Sequence, residues 1–155
     1  MSGKLAVLFV CLGNICRSPL AEAAFRVEAA RHGLDAEIDS AGTGGWHSGE
    51  APDPRARAVA LRQGVDIGHY RARQVKAADF RHFTHIIALD RQNLADLKAI
   101  RPVDGVAELS LLLDHVEGRK GEPVADPYYG DETDFEATWA EVTIGAQGLV
   151  RRFRG

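Results

Sequence analysis

The sequence LAVLFVCLGNICRSPL, at residues 5–20, decides the fold and locates the site. Residues 5–10 are an apolar, β-favouring run, which predicts a buried strand. Residues 11–18 then place a cysteine, a Gly-Asn pair and an arginine in a short loop. Pro19 and a helix-prone stretch over residues 20–30 follow, so the loop ends at the amino terminus of a predicted helix. The segment therefore predicts a strand, a tight loop and a helix in direct succession.

Such a loop favours an anion bound around one sulfur atom. The N–H groups and the dipole at a helix amino terminus attract negative charge, and Gly13 and Asn14 tolerate the positive φ that turns successive amides inward. Arg17 can hold two phosphoryl oxygens with its planar guanidinium. All of these groups favour the thiolate form of Cys11, and Ser18 can donate a hydrogen bond to the sulfur. The loop thus indicates a nucleophile at the centre of a phosphate site.

The spacing Cys-x5-Arg by itself also fits a buried structural cysteine beside a surface arginine. Three neighbouring features favour the phosphate site over that alternative. They are the preceding strand, the Gly-Asn pair inside the loop and the Ser-Pro pair that opens the helix.

Length and composition predict one domain over residues 1–155, with 45% apolar and 26% charged residues. A net charge of −3 argues against a general nucleic-acid-binding protein, so we expect no nucleic-acid partner. The chain has two cysteines, Cys11 and Cys16, and both lie in the loop. Because a disulfide-stabilised secreted fold would spread its cysteines along the chain, a reducing compartment is expected.

Lys4 and the apolar residues 5–12 resemble the start of a signal peptide. Gly13, Asn14 and Arg17 interrupt this run after eight residues, without a clean cleavage region, and it is too short to span a bilayer. We therefore expect a cytoplasmic protein with no membrane partner.

Strand-like and helical segments alternate along the rest of the chain. Further strands are predicted at 36–40, 84–89 and 106–109, and helices at 19 or 20 to 32, 53–64, 76–81, from Asp90 onward, and 134–153. This alternation predicts an α/β fold with a central four-stranded, mainly parallel sheet, doubly wound with helices on both faces. Ligands of such sheets bind beyond the carboxyl ends of the strands, where the Cys11 loop leaves the first strand.

Residues 7–23 resemble the signature of the low-molecular-weight protein tyrosine phosphatases. The resemblance covers essentially the whole chain, with similar segments at 39–42, 53–55, 72–74, 87–90, 126–129 and 134–135. It implies the phosphotyrosine phosphatase I-like fold. It also implies hydrolysis of phosphotyrosine monoesters through a cysteinyl-phosphate intermediate, with no metal and no cofactor.

The family mechanism implies catalytic roles for Cys11 as nucleophile, Arg17 as phosphoryl clamp and Asp126 as general acid and base. By itself, Asp126 also fits a turn aspartate before a proline, and the resemblance favours the catalytic role. The phosphate-binding loop implied by the resemblance consists of Leu12, Gly13, Asn14, Ile15, Cys16, Arg17 and Ser18.

Aromatic residues are expected to form the substrate cleft. Trp46 is either a core plug under a long loop or one wall of the cleft, with Tyr128 and Tyr129 as the opposite wall. A deep slot between aromatic rings fits a phenyl phosphate and disfavours the short phosphoserine, while Leu12 and Ile15 would line its floor. Relatives that resemble protein-arginine phosphatases carry threonine where this chain has Ile15, so isoleucine favours an aryl ester.

Two further roles follow from the resemblance. Cys16 is expected to form a reversible disulfide with Cys11 as a redox safeguard, although it also fits a small loop filler. Asn14, Ser40 and His69 are expected to support the loop through a polar network, with Tyr70 as the alternative to His69.

Other functions fit the sequence less well. A thiol-dependent arsenate reductase needs further cysteines downstream, and a module that only binds phosphorylated partners would lack the acid or the nucleophile. Nucleotide binding by a P-loop would need a Gly-Lys-Ser/Thr ending, which the loop lacks. The expected partners are a phosphotyrosine protein or a small aryl phosphate, with inorganic phosphate as product. We expect a monomer, with weak self-association through Trp46 and Tyr128.

Overall fold

The computed structural model describes residues 4–155, which form a doubly wound α/β fold. In chain order its elements are β1 (Ala6–Cys11), α1 (Arg17–Arg31), β2 (Glu37–Gly42), α2 (Pro54–Arg62), α3 (Ala77–His82), β3 (His85–Ala88), α4 (Arg91–Ile100), β4 (Glu108–Leu111), a short 3-10 helix (Leu112–His115) and α5 (Glu132–Arg154). The four strands lie in the order β2-β1-β3-β4, and all neighbours are parallel. The expected fold class is confirmed.

Strand β1 is buried along its whole length because helices cover both faces of the sheet. Val7, Phe9 and Cys11 point into the core shared with α1, α2 and α5, and the alternate residues of the strand point into the core on the side of α3 and α4. This two-sided burial explains why residues 5–10 read as a continuous apolar run rather than an alternating one.

Strand β4 begins two residues later than the sequence predicts. The prediction of 106–109 is wrong at its start because the N–H groups of Val106 and Ala107 bond to the carbonyl of Phe80 in α3. Val106 is 70% exposed. Pairing with β3 begins only at Glu108, which lies opposite His85.

Helix α5 also begins earlier than predicted. Asp131 is its N-cap, and the side chain of Asp134 accepts a hydrogen bond from the Asp131 N–H in a reciprocal capping box. Asp134 is therefore the third residue of the helix and not its start. None of the helices described over residues 4–155 combines the length and apolar content needed to cross a membrane.

Gly148 sets how closely α5 packs on the 3-10 helix. A Cβ atom at this position would lie 2.1 Å from the carbonyl oxygen of His115. Since a backbone oxygen cannot rotate away, the close approach requires glycine here.

We therefore expect Gly148→Ala to lower the free energy of unfolding by about 1–3 kcal/mol, although alanine is the better helix former. Chemical denaturation monitored by circular dichroism measures this change. Gln147→Ala, at the exposed neighbouring position, is the control and should leave stability within about 0.5 kcal/mol. Equal stability of the two variants would contradict this view of the packing.

Candidate active site

The loop over residues 12–16 borders a cavity, which Leu12, Gly13, Ile15 and Cys16 help to line. In the described chain, the backbone N–H groups of residues 12–16 have no protein acceptor. Asn14 has a φ of 58°, and it is the one residue other than glycine with a positive φ among residues 4–155. Successive amides that switch hand in this way form a concave anion site, and helix α1 begins directly behind it at Arg17.

The side-chain amide of Asn14 fixes this loop from behind. Its Nδ2 donates to Ser18 Oγ at 2.8 Å and to Ser40 Oγ at 3.1 Å, and its Oδ1 accepts the N–H of Arg73 at 3.0 Å. Asn14 is 4% exposed. Two of the residues expected to support the loop, Asn14 and Ser40, are thus brought together by the fold.

Ser18 connects this network to the sulfur of Cys11. The Sγ and Oγ atoms are 3.0 Å apart. Ser18 Oγ accepts a hydrogen bond from Asn14, and its single proton can be donated to the sulfur or to the more distant carbonyl of Ala41 at 3.4 Å. The hydroxyl can therefore stabilise negative charge on Cys11.

Arg17 is held rigidly beside the loop. Its Nη1 donates to Asp90 Oδ2 at 2.7 Å and to the carbonyl of Val124 at 2.9 Å. Its side chain is 4% exposed. With Nη1 occupied, Nη2 and Nε remain for an anion in the loop, which is the forked geometry that suits phosphate.

Asp126 lies on the opposite side of the same cavity. Its Oδ2 is 3.7 Å from Arg17 Nη2, and its Oδ1 accepts the N–H of Tyr128 at 3.1 Å. The carboxyl side chain is 45% exposed, so it borders the opening of the cavity rather than its floor. Asp126 is far from Cys11 and Arg17 in sequence, and the fold brings all three residues to the same cavity.

The cavity has a volume of about 240 Å³ and a rim of aromatic side chains. It is lined by Cys11, Leu12, Gly13, Ile15, Cys16, Arg17, Trp46, His47, Asp126, Tyr128 and Tyr129. Trp46 and Tyr129 are exposed and Tyr128 is partly exposed. Trp46 therefore lies on the rim and is not a core plug. Its ring rests on Gly44, where a Cβ atom would lie 1.8 Å from it.

His47 lines the cavity, and sequence reasoning missed it. Its Nδ1 lies 3.1 Å from Glu50 Oε1, and its ring covers Gly13 of the loop. The available signal was its position directly after Trp46 in the glycine-rich segment.

A second missed residue is Glu22, which carries the network beyond Ser40. Its Oε1 accepts from Ser40 Oγ at 2.7 Å, and its Oε2 accepts from Arg26 Nε at 3.0 Å. Burial raises the pKa of Glu22, while the hydrogen bonds from Ser40 and Arg26 oppose that shift. A buried carboxylate is therefore part of the support behind the loop.

His69 is not part of this support, contrary to the expectation from sequence. It is exposed and packs edge-on against Tyr70, and in the described chain it bonds to neither Asn14 nor Ser40. Tyr70 is instead the more buried of the two residues and packs against the core. Burial, together with the charge of Glu22, raises the pKa of Tyr70 to about 12.

Cys16 is the second sulfur of the loop, and it is buried as a free thiol, as is Cys11. Burial raises the pKa of Cys16, and nearby Asp53 and Cys11 raise it further. The thiol form of Cys16 is therefore favoured at neutral pH. No cluster of metal-ligating side chains occurs within residues 4–155.

The fold and the loop together define an α/β protein with a cysteine-centred oxyanion site at the carboxyl edge of a parallel sheet. Residues 6–154 match the family model of the low molecular weight phosphotyrosine protein phosphatases. The chain is 39% identical to the low molecular weight phosphotyrosine protein phosphatase of Schizosaccharomyces pombe, over 97% of this chain and 98% of that one. The chain belongs to this family.

Two further relatives agree. The low molecular weight protein-tyrosine-phosphatase YfkJ of Bacillus subtilis is 41% identical over 94% of each chain. Its crystal structure matches with a TM-score of 0.90, covering 99% of this chain and 96% of that one. The protein tyrosine phosphatase of Entamoeba histolytica, crystallised with Hepes in its active site, is 33% identical and matches with a TM-score of 0.91 over 97% of both chains.

Asn14 provides a test of the loop geometry. Asn14→Gly keeps the positive φ but removes the three hydrogen bonds, and Asn14→Ala also adds strain of about 1–2 kcal/mol. Titration calorimetry with inorganic phosphate should show weaker binding for glycine and a further loss of at least about fivefold for alanine. Gln92→Ala, on the surface of α4, is the control. Wild-type affinity in the glycine variant would show that the amide does not hold the loop.

Proposed function

We propose that this chain hydrolyses phosphotyrosine monoesters, in proteins or as small aryl phosphates, through a cysteinyl-phosphate intermediate. The observation that carries the proposal is the convergence of three groups on one cavity. These are the Cys11 sulfur inside the ring of free amides, the fixed guanidinium of Arg17 and the carboxyl group of Asp126. Each group suits one requirement of cysteine-dependent phosphoryl transfer.

The substrate phosphate would occupy the loop. The N–H groups of residues 12–16 and the Nη2 and Nε of Arg17 would donate to its non-bridging oxygens. The same donors hold the three equatorial oxygens of the transition state, so the charge complement is supplied without a metal.

In the first step, the Cys11 thiolate attacks phosphorus opposite the leaving oxygen. The S–P bond forms while the P–O bond to the aryl group breaks, and Asp126 in its acid form transfers a proton to the phenolate oxygen. The products are a phenol, a cysteinyl-phosphate and the Asp126 carboxylate.

In the second step, a water molecule replaces the phenol. Asp126 accepts a proton from the water as its oxygen bonds to phosphorus, and the S–P bond breaks to release inorganic phosphate. The hydroxyl of Ser18, 3.0 Å from Cys11 Sγ, stabilises the departing thiolate. The enzyme returns to its starting protonation state.

The rim supports an aryl substrate. Trp46 and Tyr128 border the cavity on different chain segments, so a flat ring fits between them while its phosphate reaches the loop. A phosphoserine side chain is shorter and keeps its phosphate close to the backbone of the substrate. That phosphate would not reach the loop at the bottom of the cavity. Ile15 presents no hydroxyl that would position water against a P–N bond.

The alternatives are weaker on the same residues. A thiol-dependent reductase would need a third cysteine, and the chain has two. A pure binding module has no use for a carboxyl group beside the Cys11 loop.

A redox role of Cys16 is part of the proposal. Hydrogen peroxide would oxidise the Cys11 thiolate to a sulfenic acid. Cys16 would then lose its proton and attack that sulfur, forming the Cys11–Cys16 disulfide, and the displaced hydroxide would leave with the proton as water. A dithiol restores both thiols. We also propose that the enzyme is a cytoplasmic monomer. The cytoplasmic location fits the disulfide chemistry, because a reducing compartment reverses disulfide formation.

The leaving-group dependence of kcat/KM tests the mechanism. Cys11→Ser should show no turnover above background in the presence of a chelator. Asp126→Asn should lose about 100-fold or more on phenyl phosphate and far less on 2,4-dinitrophenyl phosphate, whose phenolate needs no proton. Asp35→Asn, a remote exposed carboxylate, should match wild type. Turnover by Cys11→Ser would contradict the proposal, and so would a requirement for a metal ion.

Peroxide treatment tests the redox role. Wild type should recover most of its activity after dithiothreitol. Cys16→Ser should recover much less, because the sulfenic acid on Cys11 has no neighbouring thiol to form a disulfide and is oxidised further. Mass spectrometry of trapped thiols identifies the disulfide. Equal recovery of the two proteins would leave Cys16 as a loop filler.

A further inference from the structure

The loop that carries Asp126 has few bonds to the rest of the protein. Between Ala125 and Asp131, two internal hydrogen bonds close short turns. The N–H of Tyr128 donates to Asp126 Oδ1, and the N–H of Gly130 donates to the carbonyl of Pro127. Tyr129 is 95% exposed. Within residues 4–155, every hydrogen bond that the backbone of residues 126–130 accepts from outside this loop comes from Arg55.

Arg55 bonds two carbonyl groups of this loop with its guanidinium. Nη2 donates to the carbonyl of Tyr128 at 2.9 Å, and Nη1 donates to the carbonyl of Gly130 at 3.0 Å. The guanidinium carbon also lies 4.6 Å from the centre of the buried Phe135 ring. The loop is thereby fastened on both sides of Tyr129.

The opposite edge of the guanidinium is fixed to the start of α2. Nε and Nη2 donate to the two carboxylate oxygens of Asp53, each at 3.0 Å. Asp53 in turn is the N-cap of α2, and its own N–H bonds the carbonyl of Ile15 at 2.9 Å. The hydrogen bond from Arg55 holds the pKa of Asp53 below its usual range, so the pair stays charged.

These bonds form one path from the phosphate loop to the loop that carries Asp126, which is called the acid loop below. It runs from Ile15 through Asp53 and Arg55 to Tyr128 and Gly130. We infer that Arg55 is a positioning residue that sets the distance of Asp126 from the phosphate loop. The inference rests on the proposed role of Asp126 as general acid. Arg55 itself does not line the cavity.

Lysine cannot replace this arginine. Arg55 uses four hydrogen bonds in one plane, two toward Asp53 and two toward the acid loop. An ammonium group is a single point that cannot span both sides. A displacement of about 1 Å at a proton-transferring group can cost up to about 100-fold in rate.

The test compares Arg55→Met, Arg55→Lys and the matched control Arg57→Met, an exposed arginine two residues further on α2. We expect Arg55→Met and Arg55→Lys to lower kcat/KM for phenyl phosphate by about tenfold or more, and for 2,4-dinitrophenyl phosphate by less than about threefold. Inhibition by inorganic phosphate should be unchanged in both. Arg57→Met should match wild type throughout. All assays are run about 10 °C or more below the Tm of each variant, so that nearly all of the protein is folded.

A double-mutant cycle separates positioning from a general structural effect. If Arg55 acts through Asp126, adding Arg55→Met to Asp126→Asn should cause no further loss on phenyl phosphate. A further loss in that background would overturn the inference. So would equal losses on the two substrates, weakened phosphate inhibition or wild-type rates in Arg55→Met.

The same data distinguish this inference from the proposed function. If Asp126→Asn alone is normal on phenyl phosphate, the acid assignment fails, and the inference fails with it. If Asp126→Asn shows the leaving-group-dependent loss and the Arg55 variants do not, the inference fails alone. Where Arg55→Met does not fold, Arg55→Lys carries the comparison.

Discussion

The N–H groups of residues 12–16, which have no protein acceptor within the described residues, are the constraint on which the rest of the site depends. Buried amides without acceptors are unfavourable, and several around one point favour an anion there. The loop therefore needs a rigid support that keeps these groups together when no anion is bound. Asn14 supplies it, because its amide reaches helix α1 through Ser18, strand β2 through Ser40 and the segment before α3 through Arg73. The parallel sheet matters because it brings all of these segments to one edge.

The parts that sequence predicts well are encoded by neighbouring residues. Residues 5–10 must be covered on both faces, so they predict a central strand, and the helices predicted to start at Asp53 and Asp90 have these two residues as their N-caps. The Cys11 loop is also local, because its nucleophile, its amides and its arginine lie within one turn of chain. The start of β4 is not local. It depends on whether the N–H groups of Val106 and Ala107 bond to the sheet or to Phe80.

The missed residues are those whose partners are distant carbonyl groups or buried side chains. Glu22 lies on α1, which is buried on several sides, so no polar face marks it as part of a network. The partners of Arg55 are backbone groups 73 and 75 residues away, which no side-chain pattern indicates. Asp126 is far from Cys11 in sequence, and only the family resemblance singled it out. His69 was misplaced because two neighbouring rings at 69 and 70 fit the same pattern, and only the structure shows that Tyr70 is the one that packs inward.

The two halves of the site differ in how they are held, and this difference has a mechanical consequence. The phosphate loop joins β1 to α1 and is bonded through Asn14 to α1, β2 and the segment before α3, so it opens only with a large part of the fold. The acid loop lies between Val124 and the capping box of α5. Its backbone is bonded to another segment only through Arg55 in the described chain, and its other contacts include the Asp126–Arg17 ion pair and the buried Pro127. Local opening therefore has a lower free energy on the acid side. In the proposed reaction, a protein substrate that contacts Tyr128 or Tyr129 would displace this loop before the phosphate loop, so the phosphate would keep a fixed geometry.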